Sequence, residues 1–238
     1  MSSRPASPDS PVELLVRDTP EEASREAARL QAESATNRLH IALSGGSTPR
    51  RAYELAATLL PDWGMASVWW CDERCVAPDD ERSNYRLARE ALLDRLVVTP
   101  RAVHRVRGEL GASAAAAAYE ELLRGVRLGL AFLGIGADGH TASLFPGSAL
   151  LGQDDRLAAP VAANDVDRVT MTPAVLCAAE TVAFLVTGSD KAEAVERAFG
   201  RQRCPATPAS LIRSASGRTV AILDRAAAAG LSRAAAAS

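Results

Sequence analysis

Three features of the 238-residue sequence predict an α/β fold, a three-layer α/β/α single domain on a mostly parallel, Rossmann-like sheet. Short apolar runs alternate with segments of helical length rich in Ala, Leu, Arg and Glu. That alternation implies crossover connections between parallel strands. The runs are nearly continuous, as befits strands covered on both faces. The length suits one large domain, and no stretch reads as a linker, so residues 12–238 are expected to form one unit.

In chain order, residues 1–11, "MSSRPASPDSP", are polar with three prolines and are expected to be a disordered tail without a secretory signal. "VELLVR" (12–17) is the first strand and 20–36 the first helix. "LHIAL" (39–43) is the second strand, followed by a helix over 49–60 with Pro49 at its first position. "SVWWC" (67–71) leads to a helix over 83–95 that Ser83 can cap. "ASAAAAAYEELL" lies in a helix over 112–125, because alanine is the best helix former. "LGLAFLG" (128–134), "TVAFLV" (181–186) and "RTVAILD" (218–224) are the remaining long strands. "DRVTMTPAVL" (167–176) reads as a short strand and a helix opening at Pro173. Helices are expected over 190–199, capped by Ser189 or Asp190, and in the Ala-rich end after Asp224. The stretch 148–169 reads as loop.

Composition narrows the function classes. Hydrophobic content of 47% and charged content of 24% are ordinary for a globular chain. A net charge of -2 gives no global attraction to nucleic acid or an anionic membrane. No apolar run approaches the roughly 20 residues that span a bilayer. Cys71, Cys75, Cys177 and Cys204 match no zinc spacing and read as reduced thiols of a cytoplasmic protein. An anionic small molecule would need a local cluster of basic groups.

Ligands of open α/β sheets bind beyond the carboxyl ends of the strands. Four loops there carry unusual sequence. Ser44-Gly45-Gly46-Ser47-Thr48 runs from a strand into a helix N-terminus, where glycines admit an anion, hydroxyls can bind it or cap, and N–H groups are free. It lacks the G-K-[ST] of a Walker loop. Asp72, Glu73 and Arg74 follow the next strand; a carboxylate can act on a hydroxyl and an arginine can grip a phosphate or carboxylate. Lys191 lies in a helix's first turn, which disfavours a cation unless an anion sits beside it. Arg168 could face the site or solvent.

The remaining loop, "LGIGADGHTASLFPG", spells G-x-G-x-x-G after an apolar run. A dinucleotide unit needs a long helix there and then a second strand. Pro146 and Gly147 interrupt that helix, and no strand leads to Asp154 or Asp155. His140 is then the informative residue: an imidazole near neutral pH is a general base, and Asp138 two residues earlier can orient it. His40 and His104 read as structural or exposed.

In series, "LSGGSTPRRAYE", "CDERCVAPDDERSNYRLARE", "LGIGADGHTASLFPG", "RVTMT" and "VTGSDKAEAV" resemble the signature segments of the 6-phosphogluconolactonase family, in the right order from residue 43 to 195. The related glucosamine-6-phosphate deaminases share the fold and the phosphate loop. They carry Gly-His followed by a segment ending in Asn-Glu-Pro, whose glutamate joins the histidine in opening the sugar ring. Phe145 stands where that glutamate would be and cannot transfer a proton.

The resemblance implies a catalytic domain that hydrolyses 6-phospho-D-glucono-1,5-lactone in the oxidative pentose phosphate pathway. No cofactor, metal, nucleic acid or membrane partner is implied, and the chain is expected to be a monomer or small homo-oligomer. His140 and Asp138 are the implied catalytic pair. Ser44, Gly45, Gly46, Ser47, Thr48, Asp72, Arg74, Arg168 and Lys191 are the implied substrate and phosphate ligands. Whether Arg74 serves phosphate or carbonyl stays open, as does the part played by Asp72. The alternatives are a deaminase/isomerase-like sugar-phosphate enzyme and a non-catalytic sugar-phosphate-binding protein.

Overall fold

All six long apolar runs pair into one sheet, and a seventh strand joins them. The computed structural model describes residues 11–37, 39–152, 155–200 and 202–231; the expected tail lies outside them except for Pro11. In chain order the first elements are β1 (Val12–Arg17), α1 (Pro20–Thr36), β2 (His40–Leu43), α2 (Ser47–Leu59), β3 (Ser67–Trp70), β4 (Asp72–Arg74) and α3 (Asn84–Ala91). Next come β5 (Ala102–His104), α4 (Ala112–Leu123), β6 (Leu130–Leu133), β7 (Ala158–Val161) and β8 (Arg168–Met171). The last are α5 (Pro173–Cys177), β9 (Thr181–Val186), α6 (Ala192–Phe199) and β10 (Arg218–Asp224).

The main sheet has the order β1-β10-β9-β6-β2-β3-β5, and every pair in it is parallel. All four residues of β6 are buried, and so are five of six in β9. Successive side chains point to opposite faces, so both faces are covered and the three-layer expectation holds. From β2 the chain steps outward through β3 to β5. It then crosses back to β6 and steps the other way through β9 to β10. The order therefore reverses between β2 and β6, and the loops leaving these neighbours diverge into a crevice.

Two buried tyrosines fasten strand ends beside that crevice. The Tyr119 hydroxyl accepts from the Trp70 N–H and donates to the Trp70 carbonyl, both at 2.9 Å. Tyr53 treats Ser44 in the same way. Each supplies in one atom what a neighbouring strand would otherwise provide.

A second sheet, with the order β4-β8-β7, is antiparallel throughout. It corrects the loop reading of 72–74 and of 158–161. "DER" is wholly charged and "AAPV" is mostly Ala and Pro, which strands disfavour; each is a strand because β8 pairs with it, a tertiary cause. Helix bounds shift as well. α2 begins at Ser47, so Pro49 stands third in it rather than first. α3 ends at Ala91, with a separate 3-10 turn at Leu93–Arg95. α6 begins at Ala192 after a 3-10 turn at Ser189–Lys191, and neither Ser189 nor Asp190 caps it. After Asp224 the described chain forms a 3-10 turn, Ala227–Gly230; residues 232–238 lie outside the described residues.

Candidate active site

β2 delivers the chain to Ser44 at the mouth of the crevice. The Tyr53 hydroxyl accepts from the Ser44 N–H at 3.0 Å and donates to its carbonyl at 2.6 Å. The Ser44 hydroxyl is buried beside the Cys71 thiol. Ser44 thus lines the cavity with its N–H, carbonyl and hydroxyl turned into the fold. α2 starts with Gly46 as N-cap and no capping side chain, so its first N–H groups face the crevice without a side-chain partner.

β4 carries the next three groups. Asp72 is 6% exposed; one carboxylate oxygen accepts from Ser143 Oγ at 2.7 Å and the other from Asn84 Nδ2 at 3.1 Å. Glu73 points away from the cavity into the loop that starts α3. It accepts from the N–H groups of Arg74, Asn84 and Tyr85 and from Ser83 Oγ. Burial pushes the Glu73 carboxyl up to about 7, against the pull of those backbone N–H groups. Ser83 caps α3 as expected, accepting from the Arg86 N–H at 3.1 Å. Arg74 donates to the Arg82 carbonyl at 3.1 Å and to Asn84 Oδ1.

β6 leads into the glycine-rich loop. His140 Nδ1 meets Asp138 Oδ1 at 2.6 Å, and the same oxygen accepts the His140 backbone N–H at 3.1 Å. Partial burial would raise the Asp138 carboxyl, but the backbone N–H, charge and ring hydrogen bond of His140 together hold it below its usual range. Asp138 fixes Nδ1–H and leaves Nε2 as the nitrogen that can take a proton. Gly136 is required here because any side chain on it would overlap the His140 ring. The loop is bolted from behind: Arg197 donates to the Ala137 carbonyl at 2.9 Å and Ala209 N–H to the Gly139 carbonyl at 3.0 Å. Ala142 is left-handed at φ 49°, a strain held next to Ser143.

These parts close around one cavity of about 260 Å³. Gly45, Gly46, Ser47 and Thr48 line it together with Ser44. Asp72, Arg74, His140, Arg168 and Lys191 complete the expected set, and Asp138 stands behind His140 rather than in the wall. Arg74 and Arg168 are register partners on adjacent strands. Like charges placed opposite each other are unfavourable unless something between or beside them compensates. Arg168 pairs with Asp165 at 3.0 Å and lies over the Phe145 ring, 5.5 Å from its centroid. Phe145 in turn packs on His140 with ring centroids 4.9 Å apart. Lys191 pairs with Asp190 at 3.3 Å and keeps 26% side-chain exposure.

His40 and His104 stay outside, as expected: Trp69 donates to His40 at 3.0 Å and stacks on His104 at 3.9 Å. Among the described residues no group of three or more His, Cys, Asp or Glu is arranged to hold a metal ion. No described helix is long and apolar enough to cross a membrane.

Residues 13–221 match the family model for glucosamine-6-phosphate isomerases/6-phosphogluconolactonase. The chain belongs to that family. A 6-phosphogluconolactonase of Nostoc sp. is 37% identical over 206 residues, 82% of this chain and 85% of its own. The 6-phosphogluconolactonase of Homo sapiens is likewise 37% identical, over 80% of each chain. The solved 6-phosphogluconolactonase of Trypanosoma cruzi superposes with a TM-score of 0.82 at 28% identity, over 97% of this chain and 98% of that one.

Within this family member, three residues that sequence reasoning missed, Tyr53, Asn84 and Ser143, hold the site together with Glu73, which it named only as one charge of a loop. All four sit in quoted motifs. Asn84 was masked by a plainer reading, as part of a helix start. Tyr53 and Ser143 gave no signal of their own, because the groups they bind are backbone or distant in the chain.

Proposed function

We propose that this enzyme hydrolyses 6-phospho-D-glucono-1,5-lactone to 6-phospho-D-gluconate, the lactonase step of the oxidative pentose phosphate pathway. One observation carries the reading: the Asp138-oriented His140 opens onto a cavity that also holds a helix N-terminus, two arginines and a lysine. That combination suits a substrate with an anionic tail and a reactive carbonyl. The lactonase names of the relatives support it.

His140 Nε2 takes a proton from water as the oxygen attacks C1 of the lactone. Negative charge gathers on the former carbonyl oxygen and calls for a preorganised donor, either a loop N–H group or Arg74. Collapse breaks the bond from C1 to the ring oxygen, and protonated His140 gives its proton to that leaving oxygen. The product acid then ionises and releases one proton to solvent. Gly45 to Thr48, Arg168 and Lys191 grip the remote phosphate, and this binding positions C1 against the base. Both oxygens of Asp72 are already occupied, so it organises the site rather than moving protons. Phe145 beside His140 weighs against the deaminase alternative, since no proton-transferring side chain stands there.

The test is proton release on adding freshly made phosphorylated lactone, corrected for spontaneous hydrolysis. Clear acceleration is expected. Ammonia release from glucosamine 6-phosphate without lactone hydrolysis would replace this reading with its rival. In the same assay Lys191→Ala raises KM about tenfold, the worth of one charge-assisted contact, and changes kcat little. Equal damage towards an unphosphorylated lactone would remove Lys191 from the phosphate site.

A further inference from the structure

We infer that Asn84 is a positioning residue that sets the Arg74 guanidinium at the phosphate end of the cavity. The inference deepens the sugar-phosphate reading of this site and rests on it. Asn84 opens α3 yet is only 1% exposed. Its carboxamide oxygen faces a donor, Arg74 Nη1. Its nitrogen faces only acceptors, the Asp72 carbonyl at 2.8 Å and Asp72 Oδ1 at 3.1 Å. These partners fix the orientation of the amide.

Location follows from Gly45. Any side chain there would overlap the Asn84 carboxamide, so the carboxamide occupies the space that the glycine leaves open. Arg74, bonded to that carboxamide, therefore stands beside the phosphate loop. Its register partner is Arg168, which has Asp165 for a counter-ion. Arg74 has no carboxylate ion pair among the described residues; its guanidinium is held by the neutral Asn84 amide and the Arg82 carbonyl. An amide fixes the geometry without cancelling the charge, and an anionic ligand can then use that charge. A carboxylate at position 84 would neutralise Arg74 and repel Asp72. The other charged or titratable groups here are Glu73, which accepts the Asn84 N–H at 2.7 Å, and His140, Arg168 and Lys191 around the same cavity.

The experiment compares Asn84→Ala and Asn84→Asp with the wild type, each checked by thermal melting. One readout is steady-state hydrolysis of the phosphorylated lactone. The other is calorimetric titration with inorganic phosphate, which assumes nothing about the substrate. Asn84→Ala should raise KM and the phosphate Kd about tenfold, with kcat within about threefold. Asn84→Asp should match that deficit near about pH 8 and recover towards the wild type, measured at the same pH, near about pH 5.5. A protonated carboxyl there shares its proton with Asp72 and offers its carbonyl to Arg74, as the amide does. If Asn84→Ala does not fold, the pH-dependent recovery of Asn84→Asp decides the matter. Wild-type KM and phosphate affinity in folded Asn84→Ala overturn the inference. A pH-independent deficit in Asn84→Asp does the same. Weakened phosphate binding in the variants, with no lactone hydrolysis by the wild type, would keep the inference and reject the substrate.

Discussion

Replacing His140 with asparagine lowers kcat for lactone hydrolysis by about a hundredfold or more and leaves KM nearly unchanged. The asparagine amide can still donate to Asp138, which accepts from His140 at 2.6 Å in the native loop. The backbone bolts at Ala137 and Gly139 do not involve the ring. The proposed phosphate grip lies on other elements, so ground-state binding is expected to survive. What disappears is the nitrogen that accepts water's proton and returns it to the leaving oxygen. Steady-state kinetics on a variant with native melting behaviour is the measurement. Turnover at the wild-type rate would take His140 out of the chemistry.

Changing Gly45 to alanine is the second large loss, about thirtyfold or more in kcat/KM. Gly45 is not among the glycines with positive φ, so its backbone suits alanine. The damage comes from the methyl group, which cannot coexist with the Asn84 carboxamide. Driving that buried amide from its place breaks its bonds to Asp72 and Arg74 and costs about 2–4 kcal/mol of stability. A double-mutant cycle separates this cause from a direct clash with ligand. If Asn84 is the obstacle, Gly45→Ala adds little once Asn84→Ala has removed the carboxamide. Additive losses would mean that Gly45 matters for the approach of an anion alone.

That glycine also shows where sequence reasoning stops. Glycine after a strand and before a helix reads as room for a phosphate, and the loop is where that reading put it. The reason for Gly45 in particular lies about 40 residues away in Asn84. The main sheet was legible because β2, β3, β6, β9 and β10 are apolar runs buried on both faces, and burial of that kind is written into residue type. β4 was not legible, since Asp72, Glu73 and Arg74 have no strand pattern and acquire their geometry from β8. His140 stood out as a rare residue type on a glycine-rich loop. Glu73 did not, because a carboxylate binding backbone N–H groups looks in sequence like any charged loop residue.

The central pairing has a consequence for how the chain acquires activity. β2 leads into the Ser44–Thr48 loop and β6 into the His140 loop, and the two strands meet where Ile41 aligns with Leu130, roughly 90 residues apart in the chain. No contiguous fragment shorter than that span can hold both halves of the cavity. A chain emerging during synthesis therefore has the Ser44–Thr48 loop long before it has His140 to set against it. Until β6 arrives, β2 presents an apolar edge with unpaired backbone groups, the kind of surface that associates with other chains. The docking of β6 along β2 both brings His140 to the Ser44–Thr48 loop and covers that edge, while Arg168 and Lys191 join the cavity only with the later strands.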